Sequence, residues 1–96
     1  MPNARKKAID CLLRCERGGF SNLVLLQELA SSGLDARDRG FCTALVYGTL
    51  SRKLTADSII SSCLDRPLAK LDAEVLEILR AGVYQIFWMD SVPARA

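Results

Sequence analysis

The side chains best suited to chemistry in this sequence are cations. Arg5-Lys6-Lys7 stand together near the start, Arg37 and Arg39 in the middle, and Arg52-Lys53 form a third cluster. Such clusters neutralise phosphates when the fold gathers them on one surface. The net charge is only +2, from 13 Lys+Arg against 11 Asp+Glu, so a nucleic-acid contact has to come from local clustering. The competing explanation for each cluster is a solvated helix face. Little aromatic character is interleaved with the charge.

Other chemistries find few candidates. The chain has no histidine, which removes the commonest general base, metal ligand and pH switch. Cysteines stand at 11, 15, 42 and 63. Cys11 and Cys15 are four apart and share a helix face, where a disulfide would strain a regular helix. No pair has the C-x2-C spacing of a zinc site. The reading is four reduced, buried thiols and no metal site, with a reactive thiol as the alternative. Asp35, Asp38, Asp57, Asp65, Asp72 and Asp90 fall mostly at helix starts or ends, where capping explains them better than acid–base work. There is no glycine loop for phosphate and no nucleophile elbow. No catalytic residue is expected.

The elements that must position the cations read as helices. There are 15 Leu and 11 Ala against 5 Val, 5 Ile and 3 Thr, and nothing alternates with period two. A first helix runs from about Asn3 to Arg17, with Ala4, Ala8, Cys11, Leu12 and Cys15 inward and a basic outer face, and Gly18-Gly19 end it. Ser21 or Asn22 caps a second, which carries Leu23, Leu26 and Ala30 on one stripe with Leu25 and Leu29 beside it. Ser31-Ser32-Gly33 close that helix. Asp35 caps a third, with Phe41, Leu45 and Thr49 inward, Ala44 and Gly48 next to them, and Gly48 marking the close approach of another helix backbone. A fourth starts near Thr55, carries Ile59, Ile60, Cys63 and Leu64, and stops before Pro67.

Asp72 caps the fifth helix, with Leu71 and Leu76 at the spacing of a hydrophobic staple. Its core stripe reads Val75, Leu79, Gly82, Val83 and Ile86, and Phe87, Trp88 and Met89 extend the apolar surface. Pro93 then stops this helix or begins another. Arg80 follows the stripe by one position and is assigned a structural role. Tyr84 and Trp88 are assigned to core packing or to contact with a further domain, with base stacking as the alternative. A chain of 96 residues builds one modest core, too little for a cofactor domain plus a substrate domain. The first ten residues lack an apolar signal region and no run nears the roughly 20 residues of a membrane span, so a cytoplasmic protein without membrane contact is expected.

Three stretches carry a more specific message: Asp38 to Leu50, with the word Val46-Tyr47-Gly48-Thr49-Leu50; Lys70 to Ile86, with Arg80-Ala81-Gly82-Val83-Tyr84-Gln85; and Met89 to Ala96, with Asp90-Ser91-Val92-Pro93. With Ala4-Arg5 to Leu12 and the Phe20-Ser21-Asn22 turn, nearly the whole chain resembles a NusB-like domain. More narrowly it resembles the N-terminal domain of bacterial 16S ribosomal-RNA cytosine-5 methyltransferases of the Sun or RsmB type. The chain departs from that pattern at Ser51 and at Thr55-Ala56-Asp57. It also stops at Ala96, where the family continues with a further helix.

The resemblance implies an all-α, compact bundle of about five helices, NusB-like and truncated at its C-terminus. Residues 1–96 would be an incomplete RNA-binding domain, with the catalytic methyltransferase domain, its S-adenosylmethionine and its cysteine nucleophile lying outside it. Ribosomal RNA and that catalytic domain are the implied partners, with a ribosomal protein or a second copy as further ones. The RNA-contact candidates are Arg5, Lys6 and Lys7, then Arg37 and Arg39, then Arg52 and Lys53. A free NusB-type antitermination factor and a protein-interaction or dimerisation module are the alternatives.

Overall fold

Asn3 turns the extended entry into a helix by accepting the Lys6 amide, 3.1 Å from its Oδ1. In the computed structural model, which describes residues 3–89, five α-helices follow in order. They are α1 (Ala4–Glu16), α2 (Ser21–Ala30), α3 (Ala36–Ser51), α4 (Lys53–Cys63) and α5 (Ala73–Trp88), with a short 3-10 turn at Leu68–Lys70. No strand occurs among the described residues, so the architecture is all-α. None of these helices is long and apolar enough to cross a membrane. Asp90 and Pro93 lie outside the described residues.

The helix ends follow the local chemistry in part. Gly18, at φ +98°, supplies the left-handed residue after α1, and the Gly19 amide reaches back to the Arg14 carbonyl at 3.1 Å. Asp35 caps α3 by accepting the Asp38 amide at 2.8 Å. Three expected features come out differently. Phe20, not Ser21 or Asn22, occupies the cap position of α2 and no side chain bonds there. Asp72 takes the cap position of α5 but its carboxylate accepts no amide. The fourth helix begins at Lys53 rather than near Thr55, because α3 and α4 are separated by Arg52 alone. Arg52 donates its amide to the Gly48 carbonyl and accepts the Ala56 amide, so the chain turns with no glycine or proline to announce it.

α1 is the central element and packs on α2, α3 and α5, while α4 lies against α5. Ala8, Ile9, Cys11 and Leu12 of α1 meet Cys42, Leu45 and Val46 of α3 in the core. Burying a side chain the size of Leu12 or Leu45 contributes roughly 1.5–3 kcal/mol. Contact with Cys42, followed by burial, pushes the Cys11 thiol well up, so this thiol stays neutral and inert. Cys15 is half-buried and Cys63 exposed, which corrects the expectation of four buried thiols. No group of three or more potential ligands is placed to hold a metal among the described residues.

The inward faces are rotated from several expected ones. On α2 the stripe of Leu23, Leu26 and Ala30 faces solvent and Val24 and Leu25 are buried. On α3 Ala44 is exposed, Phe41 is only half-buried, and Cys42 and Val46 join Leu45 and Thr49 inside. On α5 Val75 and Ile86 are exposed, and the buried residues are Glu77, Arg80 and Ala81.

That last exchange has a cause. Arg80 is buried and clamped by carboxylates from three helices. Its Nε and Nη2 donate to the two oxygens of Asp57 on α4 at 2.7 and 2.9 Å, and its Nη1 donates to Glu77 at 2.7 Å. Glu16 of α1 stands 3.5 Å from the same Nη1 and also pairs with Lys53 at 2.6 Å. Burial opposes the charge of Arg80, but the bonds to Asp57 and the field of Glu77 outweigh it and hold the guanidinium charged. Burial raises Glu77 above the ordinary carboxylate value, with Arg80 opposing the rise. Arg80 is therefore structural, as its place beside the stripe suggested.

Gly48 does mark a close approach, by a ring rather than by a helix backbone. A Cβ at that position would overlap the Tyr84 ring of α5. Replacing Gly48 by Ala gains about 1 kcal/mol of helix propensity but forces Tyr84 out of place, which costs roughly 1–3 kcal/mol. G48A is expected to be no more stable than wild type by urea unfolding, whereas Gly40→Ala, with open space around its Cβ, is expected to gain stability. Arg80→Met leaves three carboxylates facing one another and is expected to lose about 3–5 kcal/mol, read as a lower urea midpoint.

Candidate nucleic-acid interface

The cations of α1 divide into those used internally and those turned outward. Arg5 is held on two sides. Its Nε donates to Gln85 Oε1 of α5 at 2.8 Å, and its guanidinium lies over the Phe41 ring of α3, 5.1 Å from the centroid. Its remaining nitrogens have no hydrogen-bond partner among the described residues, so a planar fork stands pre-oriented at the start of α1. Lys6 is exposed and pairs with Asp10 at 2.8 Å, one turn along the same helix. The hydrogen bond to Asp10 raises its pKa and keeps it charged.

Lys7 is engaged more deeply. Its Nζ lies 3.0 Å from Glu28 of α2, and Arg14 reaches the other oxygen of Glu28 at 3.0 Å. Arg14 also donates to Gln27 at 2.6 Å. Glu28 is thus the clamp that holds α2 on α1. The hydrogen bond from Lys7, then that from Arg14, holds its carboxyl below the ordinary range.

Arg37 and Arg39 lie in the first turn of α3. Both are exposed, and neither makes an ion pair or side-chain hydrogen bond among the described residues. Arg37 is four residues before Phe41 and shares its helix face, so the ring under Arg5 brings the first two clusters to one end of the molecule. The amides of this helix start are partly answered already, by the Asp35 cap, and Asp38 adds a second negative charge. The two arginines, rather than the helix terminus, supply the positive field here.

The third cluster sits at the opposite end of α3, roughly 20–22 Å from Arg39 and Arg37 at ~1.5 Å per residue. Arg52 lies over the Trp88 ring, 5.1 Å from its centroid, and Lys53 is paired with Glu16 at 2.6 Å. The three clusters therefore form two separate positive regions. Between α1 and α5 runs a groove of about 230 Å³ floored by Ile9, Leu45, Ile78 and Ala81, with Arg5 and Glu74 at its rim.

Phe41, Gln85 and Glu28 decide which cations are free, and none stands out in the sequence as a functional residue. Their roles come from side chains reaching between helices. Phe87 is exposed beside Trp88, as the interaction-module reading of the apolar end of the fifth helix expects.

Comparison with known proteins adds an independent line. The chain matches the NusB family over residues 2–96. It is 36% identical over 80 residues to the probable ribosomal RNA small subunit methyltransferase B of Synechocystis, covering 83% of this chain and 18% of that protein. It is 33% identical over 95 residues to the probable ribosomal RNA small subunit methyltransferase B of Bacillus subtilis, covering 98% of this chain and 21% of that protein. It is 32% identical over 92 residues to the transcription antitermination protein NusB of Halorhodospira halophila, covering 96% of this chain and 59% of that protein. The chain thus spans about a fifth of the methyltransferases it matches and under two thirds of the antitermination protein. No solved structure matches it.

The depressed carboxyl of Glu28 gives a pH signature with a definite sign. Its contribution to stability is complete above the unfolded carboxyl value of about 4.3 and is lost as pH falls through the lower folded value. The stability difference between wild type and Glu28→Gln, measured by urea unfolding, is expected to be constant near neutral pH and to shrink in acid below that value.

Proposed function

On the premise that this chain belongs to the NusB family, we propose that it is an RNA-recognition domain of a ribosomal RNA small subunit cytosine-5 methyltransferase. Three observations support the reading. Domains of this family bind RNA. A methyltransferase relative is 36% identical over 83% of the chain. And the Phe41 ring that carries Arg5 lies on the same face of α3 as Arg37, one turn away, so two guanidiniums at that end keep side-chain nitrogens open to phosphate oxygens, while Arg39, two residues on, is exposed on the other side of the helix. That arrangement is the observation that carries the proposal.

In this reading the domain holds ribosomal RNA while the remaining length of the protein carries the chemistry. S-adenosylmethionine belongs to that other part. The groove between α1 and α5 is smaller than the ~300 Å³ at which ligand pockets of drug size begin, and its floor is aliphatic, which does not fit an adenosyl cofactor with its charged sulfonium. No step of methyl transfer is assigned to residues 1–96.

The cations do not contribute equally. Arg5, Arg37, Arg39 and Arg52 offer charge without giving up a carboxylate. Lys6 exchanges Asp10 for a phosphate readily, because its pair is exposed. Lys7 and Lys53 are tied to Glu28 and Glu16 and reach phosphate only by loosening the packing of α2 or α4. A free antitermination factor is the second reading, favoured by the 32% identity to the Halorhodospira halophila protein. The two readings differ in the polypeptide attached to the domain.

The test is salt-dependent binding of a single-stranded ribosomal RNA fragment. Arg37→Gln with Arg39→Gln is expected to weaken binding and to lower the slope of log K against log salt by roughly 0.7 per contact removed. Lys7→Gln is expected to lower stability with a smaller change in slope. A double variant with the wild-type slope would place the RNA elsewhere on the molecule.

A further inference from the structure

At the far end of α3 the structure builds a surface that packing alone does not use. Tyr84 and Trp88 are one helical turn apart on α5, with ring centroids 6.0 Å apart and planes inclined by 23°. The Arg52 guanidinium lies over Trp88, and Phe87 leans on Trp88 with centroids 5.9 Å apart and planes at 52°. These rings have different duties. Tyr84 fills the space above Gly48 and packs on the core. Trp88 is half-buried between neighbours. Phe87 has no place in the core and is 58% exposed.

We propose that Phe87, with Trp88 and Arg52 behind it, forms a shelf on which one unpaired RNA base stacks. The inference rests on the RNA-recognition reading and adds to it a second contact region, roughly 20–22 Å along α3 from Arg37 and Arg39. An exposed ring stacks on any base, because every base has a π-face, and single-stranded RNA presents its bases for this contact. Arg52, which no carboxylate claims among the described residues, favours a nucleotide over an apolar protein segment. A nucleotide brings a phosphate to Arg52 as its base meets the ring, whereas an apolar segment would strip water from Arg52 and leave its charge without a new partner. The shelf distinguishes unpaired RNA from duplex, whose bases are stacked on one another and closed to Phe87.

Trp88 is the only tryptophan in the chain, so its emission reports on the shelf directly. The full chain is titrated with an unstructured oligoadenylate RNA of about a dozen nucleotides, and separately with a fully paired RNA duplex. Emission is expected to fall on adding the single strand and to change little with duplex. Phe87→Leu keeps the apolar bulk and removes the ring. It is expected to weaken single-strand binding roughly tenfold while leaving the salt slope and the helical circular dichroism unchanged. Phe87→Tyr is expected to bind as wild type does. If RNA binds with the expected salt slope but emission is unmoved and F87L binds as tightly as wild type, the shelf is rejected and the RNA reading survives. If F87L weakens single strand and duplex alike, the shelf is also rejected. If neither RNA binds, both fall.

Discussion

A buried guanidinium sets the terms for this structure. Arg80 sits among the core-facing positions of α5, where a charge without partners would cost several kcal/mol. It is tolerated because Asp57 takes two of its nitrogens and Glu77 a third, with Glu16 close by. Each partner comes from a defined place: α4, the preceding turn of α5, and the end of α1. The geometry of a planar fork leaves little freedom in where those helices lie. Through Glu16 the network reaches Lys53 and so fixes the junction of α3 and α4. The rest of the core consists of modest side chains, several of them alanines and cysteines, which are less particular about orientation.

The same economy governs the surface. A cation can hold a helix in place or meet a phosphate, and the carboxylates decide which. Glu28 claims Lys7 and Arg14, and Glu16 claims Lys53. Where no carboxylate is near, an aromatic ring holds the guanidinium without neutralising it. Phe41 does this for Arg5 and Trp88 for Arg52. Cation–π contact leaves the outward nitrogens able to donate, so it positions an arginine without consuming it. The two ends of α3 share this device.

Relatives named as methyltransferases and as antitermination proteins match nearly the same stretch of this chain. The same helical module thus occurs in proteins named for different activities. Around α2, Phe20, Leu23 and Leu26 leave a second apolar surface exposed.

The helical class, the five helices, the glycine turn after α1, the Asp35 cap and the family words were all legible in the amino-acid sequence. They are local: residue type and spacing act within a turn or two, so Gly18 and Asp35 carry their own instructions. The inward faces of α2 and α5 were not legible. An apolar stripe states that a face avoids water, but it does not state which of two faces finds a partner. Leu23 and Leu26 were outcompeted by Val24 and Leu25, and Ile86 by Arg80, because the position of α1 and the carboxylates Asp57, Glu77 and Glu16 decide which face is covered. The division of the cations was likewise decided in three dimensions. Arg5, Lys6 and Lys7 are equal neighbours in sequence, and only the approach of Gln85, Phe41 and Glu28 from other helices separates them. Pairing energies depend on distances between elements, and those distances exist only once the helices have packed.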